Sequence, residues 1–166
     1  MKLSERATAA AAPAPVSKTC SACGQTRKRI RSEPDHRRFF ALIAAAFANW
    51  PESHKFQPSN AEHLRAWLTI HAGHYDIVTV PVPADAPPIV VKLAALSAEA
   101  AIKAAGTHAW TVARGHQIDV YSPMSIAWDK LSQAEFWPIR QAVEDVIAAA
   151  IGIDADTLLR GHERAA

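Results

Sequence analysis

Cys20 and Cys23 are the only thiols among 166 residues, and they stand in a Cys-x-x-Cys-Gly pattern. Two thiolates at this spacing chelate zinc, and the glycine that follows relieves the turn. A structural zinc site needs four ligands. Twelve residues separate Cys23 from His36, the spacing of a Cys2His2 finger, but position 40 is Phe and no histidine completes the set. Zinc at Cys20 and Cys23 therefore needs the same pair from a second subunit. The other reading is two inert thiols in a reducing compartment. Two cysteines exclude a disulfide framework.

The run His71-Ala-Gly-His74-Tyr-Asp76 offers two imidazoles and a carboxylate in six residues, the makings of a metal centre for nuclease chemistry. Gly73 interrupts the helix between them, so the side chains diverge, and His71 continues an apolar stripe where a hydrogen-bonded core histidine is the commoner explanation. The chain has no Gly-x-Ser-x-Gly elbow, no Gly-rich phosphate loop and no His-Glu-x-x-His. Nor does it have a tight acidic cluster of the kind that holds two metals. It reads as a non-enzyme, with a metal-dependent nuclease as the last-ranked alternative.

What remains is cationic and aromatic. Residues 1–40 hold nine Lys/Arg against three acids, a charge of nine minus three, +6, so the other 126 residues carry −4. A basic segment on an acidic body points to a polyanion partner, because phosphate attraction is long-ranged and releases counterions. The alternative is a solubilising tail. The candidate phosphate contacts are Arg27, Lys28, Arg29 and Arg31 in the basic run, then His36, Arg37 and Arg38 at a helix start, where N–H groups also favour anions. Arg65 is the best cation beside the second apolar stripe. Five Trp (50, 67, 110, 128, 137) with five Phe supply stacking surfaces for unpaired bases, Trp67 being the candidate nearest Arg65. The competing reading puts Trp50 and Trp67 in the core, since both sit on apolar stripes.

The elements that must position these groups are legible from pattern. With 49% hydrophobic and 20% charged residues the chain is rich enough for one core. Residues 1–30 read as a disordered Ala/Pro-rich and basic arm, and 31–162 as one domain. Ser32-Glu-Pro-Asp35 is a helix start, followed by a stripe of Phe39, Phe40, Ile43, Phe47 and Trp50. Ser59-Asn-Ala-Glu62 opens a second helix bearing Leu64, Trp67, Leu68 and His71, with Gly73 to end it. Tyr75 to Val82 reads as a strand, at an edge because of Pro81 and Pro83. Ile89 to Lys92 is a short-strand candidate, and Ser97 to Ala105 a helix. Ala109–Ala113 and Gln117–Tyr121 flank Arg114-Gly-His116 as a hairpin with a three-residue loop. Ser132-Gln-Ala-Glu135 caps the longest helix, striped by Phe136, Ile139, Val143, Val146, Ile147 and Ala150, with Pro138 predicting a kink or later start. Asp154 to Arg160 reads as a last short turn. The order favours an α+β fold: helices packed on a small antiparallel sheet, behind a disordered basic N-terminal arm. No apolar run reaches the roughly 18 residues that span a bilayer, and Met1 to Val16 lacks a signal-peptide stretch, so a cytoplasmic protein with no membrane partner is expected.

Three blocks resemble a phage and prophage family known as domain of unknown function 1367. They are Arg31-Ser-Glu-Pro-Asp-His36-Arg37-Arg38-Phe39-Phe40-Ala-Leu42 with Phe47-Ala-Asn-Trp50, then Leu64-Arg65-Ala-Trp67 through Tyr75-Asp76, then Pro123-Met-Ser125-Ile126-Ala127-Trp128 with Glu135-Phe136. The match covers roughly residues 31–150. More loosely, the basic opening from Arg31 to Phe39 and the later Glu135-Phe136 resemble the phage recombination protein NinB family. That likeness implies a homodimer that prefers single-stranded DNA and helps to load strand-annealing or recombinase proteins of phage or host. Arg37 and Arg38 would then track phosphates while an aromatic stacks. Both families carry a strand–helix–strand segment before the Arg-rich helix. Here the Ala/Pro arm and the cysteine pair stand in its place, and residues 83–116 look like an insertion between two strands that would otherwise form a hairpin. The function expected from all this is a phage-encoded single-stranded DNA-binding accessory of recombination or replication. The alternative is a protein–protein adaptor or host-takeover factor that docks its basic arm on an acidic host protein.

Overall fold

Ser32, extended at the edge of the basic run, precedes Glu33-Pro34 and helix α1 (Glu33–Ala48), where a proline in the first turn removes an N–H that would have no helical partner anyway. The computed structural model describes residues 32–127 and 131–165. The Ser32 side chain makes no cap bond, so the expected box with Asp35 does not form. Asp35 is drawn instead to α4 (Gln133–Ile151), where Gln133 Nε2 donates to it at 2.7 Å. The face that α1 buries is Phe39, Leu42, Ile43, Ala45 and Ala46. Phe40 and Phe47, assigned to the stripe from sequence, are 39% and 37% exposed. The stripe turned because α1 packs among three helices rather than on one surface, and small alanines let their backbones approach.

Helix α2 (Ala61–His71) is capped by Asn60, whose side chain accepts from the His63 N–H at 2.8 Å, not by Ser59 as the box pattern implied. Gly73 ends it with φ +84°, a left-handed conformation that glycine adopts without Cβ strain. In α4 the capping box of Ser132 and Glu135 forms in full, and the helix starts there in spite of Pro138. The N–H missing at Pro138 leaves the carbonyl of Ala134 without its helical donor, but Ala134 is exposed to water. Asp154 accepts from the Thr157 N–H and hydroxyl, at 2.9 and 2.7 Å. It opens α5 (Ala155–Ala165), a longer element than the short turn expected, whose Leu158 and Leu159 are buried against the helical core.

The three strands β1 (Tyr75–Pro81), β2 (Trp110–Arg114) and β3 (Gln117–Pro123) form an antiparallel sheet in the order β1-β3-β2. The register runs from Tyr75 opposite Pro123 to Pro81 opposite Gln117, so β1 is an edge strand as its prolines predicted. Residues 83–116 do lie between two strands that pair along their whole length. The β2–β3 turn is tighter than the three-residue loop expected. Arg114 pairs with Gln117, leaving Gly115-His116, and Gly115 has φ +56°. No other residue type among those described has positive φ, which fits a type II′ turn with glycine first.

Between β1 and β2 lies α3 (Pro88–Ala104), and it overturns the short strand expected at Ile89 to Lys92. The β-branched Ile-Val-Val run favours a strand locally, but Pro88 opens a helix. Val91 and Ala95, four apart, then bury against Ile118 of β3. The result is α+β: among the described residues, five helices packed with a three-stranded antiparallel sheet. No helix among them is long and apolar enough to cross a membrane.

Candidate nucleic-acid interface

The first turn of α1 carries Glu33 and Asp35, which already answer the positive end of the helix. Arg37 pairs with Glu33 one turn back, both side chains largely exposed. Arg38 reaches across to Asp156 on α5, and that hydrogen-bonded carboxylate raises its pKa above the ordinary arginine value. His36 packs its ring on Phe40 with centroids 4.8 Å apart. The expected anion site at this helix start is therefore largely neutralised by its own carboxylates.

Arg65 donates from Nε and Nη2 to Glu62, at 2.8 and 2.5 Å, with its side chain 14% exposed. Its Nη1 is buried without a partner among the described residues. Trp67 is 9% exposed. Phe56 stacks on it at 4.8 Å with 6° between planes, and His71 at 3.7 Å with 23°. Trp50 and His54 meet it edge-on, at 5.6 and 5.3 Å. A base could stack on Trp67 only by displacing one of these rings. The core reading of Trp67 describes it. Among the described tryptophans Trp137 is the open one, 44% exposed on α4.

His71 and His74 do not form a metal centre with Asp76. His71 Nδ1 lies 2.9 Å from the Trp67 carbonyl and its ring is spent on Trp67, and no group of three ligands able to hold a metal occurs among the described residues. Arg27, Lys28, Arg29 and Arg31, together with Cys20 and Cys23, lie outside the described residues.

Four histidines that the sequence reading did not group converge here with aromatics. His63 stacks on His108 at 4.8 Å and on Trp110 at 5.6 Å, while Phe56 meets His63 edge-on at 4.9 Å. On the far side of Phe56, His54 and His71 flank Trp67. A shallow groove of about 260 Å³ runs between Phe56, His63, Lys103, His108 and Trp110. Burial chiefly, then the neighbouring His108 and Lys103, depress the His63 pKa against the opposing pull of Glu99. Burial also lowers His71 and His74. The lowered His63 pKa favours its neutral ring, and the groove offers flat aromatic surface with both Lys103 and Glu99 lining it. The cluster escaped sequence reasoning because Phe56 and His108 sit in connecting segments without periodicity. Only their arrival at α2 joins them.

Half of the cations among the described residues of the body are ion-paired. Residues 32–127 and 131–165 hold ten Lys/Arg and fourteen Asp/Glu, ten minus fourteen giving −4. Five of those ten, Arg37, Arg38, Arg65, Arg114 and Arg140, are ion-paired. No family model, curated protein or solved structure matches this chain.

Proposed function

We propose that the protein binds single-stranded DNA as an accessory of phage recombination or replication, holding phosphates chiefly through the basic residues before α1. The single observation that carries this reading is the segregation of charge. Residues 1–31 hold seven Lys/Arg and one Glu, seven minus one giving +6, on a body of −4 in which five of the seven arginines are paired with carboxylates. A polyanion is therefore attracted to one end of the chain and repelled from most of the rest. Arg27, Lys28, Arg29 and Arg31 become the principal contacts, and Arg37 and Arg38 secondary ones that must first leave Glu33 and Asp156. The groove at His63, His108 and Trp110 is the better stacking candidate than Trp67, since Trp110 keeps partial exposure. The likeness of Arg31 to Phe39, and of Glu135-Phe136, to the NinB family supports a single strand over duplex.

The test is binding of the full chain to labelled single-stranded and duplex oligonucleotides of equal length across a salt series. Preference for the single strand with a steep loss of affinity on adding salt is the expected outcome. No binding at low salt sinks the reading and turns attention to an acidic protein partner.

A further inference from the structure

The backbone of β1 alternates between two neighbours, and one of them is missing among the described residues. Met124 donates to His74 O at 3.1 Å, and Val82 donates to His116 O at 2.8 Å, just beyond the two ends of the β1–β3 ladder. Antiparallel pairing alternates, so Asp76, Val78 and Val80 bond to β3, while the N–H groups of Tyr75, Ile77 and Thr79 point away from it. Pro81 falls on the outward set, so its missing N–H removes no bond to β3. All seven residues of β1 are exposed, with Ile77 49%, Val78 60% and Val80 46% open.

Edge strands are normally blunted by lysine, by proline, by a bulge or by a covering element, and Pro81 is such a proline, taking one of the four outward N–H positions of β1 and leaving those of Tyr75, Ile77 and Thr79 open. The register of β1 is continuous, and its one charge is Asp76. We infer that β1 is an interface at which two copies of this chain pair antiparallel, joining their three-stranded sheets into one of six strands. Self-complementarity names the occupant. With a two-fold axis through Val78, the strand Tyr75–Pro81 overlaps its copy in full. The N–H groups of Tyr75, Ile77 and Thr79 then face the carbonyls of Pro81, Thr79 and Ile77 in the second copy. Every outward donor finds an acceptor, and Pro81 serves only as an acceptor, the one role its backbone retains. Val78 meets its own copy in a closely spaced pair, and Asp76 lies opposite Val80. Sliding the axis to Asp76 would set two carboxylates face to face, which disfavours that register.

A ladder of this length is at the small end of specific interfaces, so the dimer should dissociate at about micromolar concentration. The inference does not rest on nucleic-acid binding, and its test uses none. Sedimentation equilibrium of the full chain should show a monomer–dimer equilibrium, and Ile77→Pro should raise the dissociation constant by at least about tenfold, because the new ring replaces an outward N–H and blocks the partner's carbonyl. Residue-resolved amide exchange of the unaltered protein is the second measurement. Amides of Tyr75, Ile77 and Thr79 should become protected as concentration rises, while those of Asp76, Val78 and Val80 are protected throughout. A monomer at all concentrations overturns the inference. So does protection of the outward amides that ignores concentration, which would mean that the chain covers its own edge. A dimer dissolved by Leu93→Glu and untouched by Ile77→Pro also overturns it, since the interface would then be the outer face of α3, where Ile89, Leu93 and Leu96 are exposed.

Discussion

Arg140 on α4 stands 2.9 Å from Asp35 on α1, a contact between residues 105 apart in the chain that ties the starts of the two helices together. Gln133 completes the tie, donating to Asp35 and accepting from the Ser32 N–H at 2.9 Å. Arg140 also lies 3.3 Å from Glu144 on its own helix. The side chains of Arg140 and Asp35 are 18% and 32% exposed, enough burial for their pairing to matter. Asp35→Ala removes the acceptor of two donors at once, and should lower stability by about 1–3 kcal/mol in denaturant unfolding. Arg37→Ala, which breaks a pair open to solvent, should change stability by under about 0.5 kcal/mol.

The division of labour between the basic run and α1 can be read from salt dependence. Each phosphate neutralised on a single strand contributes about 0.7 to the slope of log affinity against log salt. Replacing Arg27, Lys28, Arg29 and Arg31 with alanine in the full chain should flatten that slope by about 3, and Arg37→Ala with Arg38→Ala by at most about 1.4. A larger effect from the α1 pair would place the main contact on the body and overturn the proposed order.

Trp67 and Trp137 should respond to truncation to very different degrees. Trp67→Ala opens a cavity beneath Phe56 and His71 and should cost about 3–5 kcal/mol of stability. Trp137→Ala, at a site 44% exposed, should cost about 1 kcal/mol or less. If Trp110 stacks a base, Trp110→Leu should weaken oligonucleotide binding several-fold while leaving its salt slope unchanged.

Acid should loosen the aromatic–histidine cluster. Burial depresses the His63, His71 and His74 pKa values below the ordinary 6.5, so near pH 6 the unfolded chain binds more protons than the folded one. Stability then rises with pH through the window between the lowered native values and about 6.5, and is lost on acidification. The thermal midpoint should fall through that window. His63→Gln, which cannot take up a proton there, should fall less steeply.

Metal analysis of protein purified without chelator addresses Cys20 and Cys23. One zinc ion per two chains, lost in Cys20→Ser, would mean a site shared between subunits, each giving one pair. Protein without zinc would leave the other reading, two inert thiols.

Local signals marked much of this fold. The Ser132–Glu135 box, the Gly73 stop and the edge placement of β1 by Pro81 were legible, because each depends on a residue's own backbone geometry or on short-range periodicity. The pairing of β1 with β3 across residues 83–116 is non-local, and only the family resemblance suggested it. Where the Ile89–Lys92 strand and the Phe40 and Phe47 stripe failed, a non-local surface chose the outcome. Val91 and Ala95 found Ile118, and α1 found three helices at once.

Charge segregation belongs to the sequence alone, since it is a property of order along the chain. Which cations are free to act on it is a tertiary matter. Arg38 met Asp156 only through the docking of α5, Asp35 met Arg140 only through the crossing of α1 and α4, and His63 met His108 and Trp110 only when the sheet closed on α2. Ion pairs and ring stacks act over a few ångströms, and a sequence specifies such distances only after the core has brought its distant segments together.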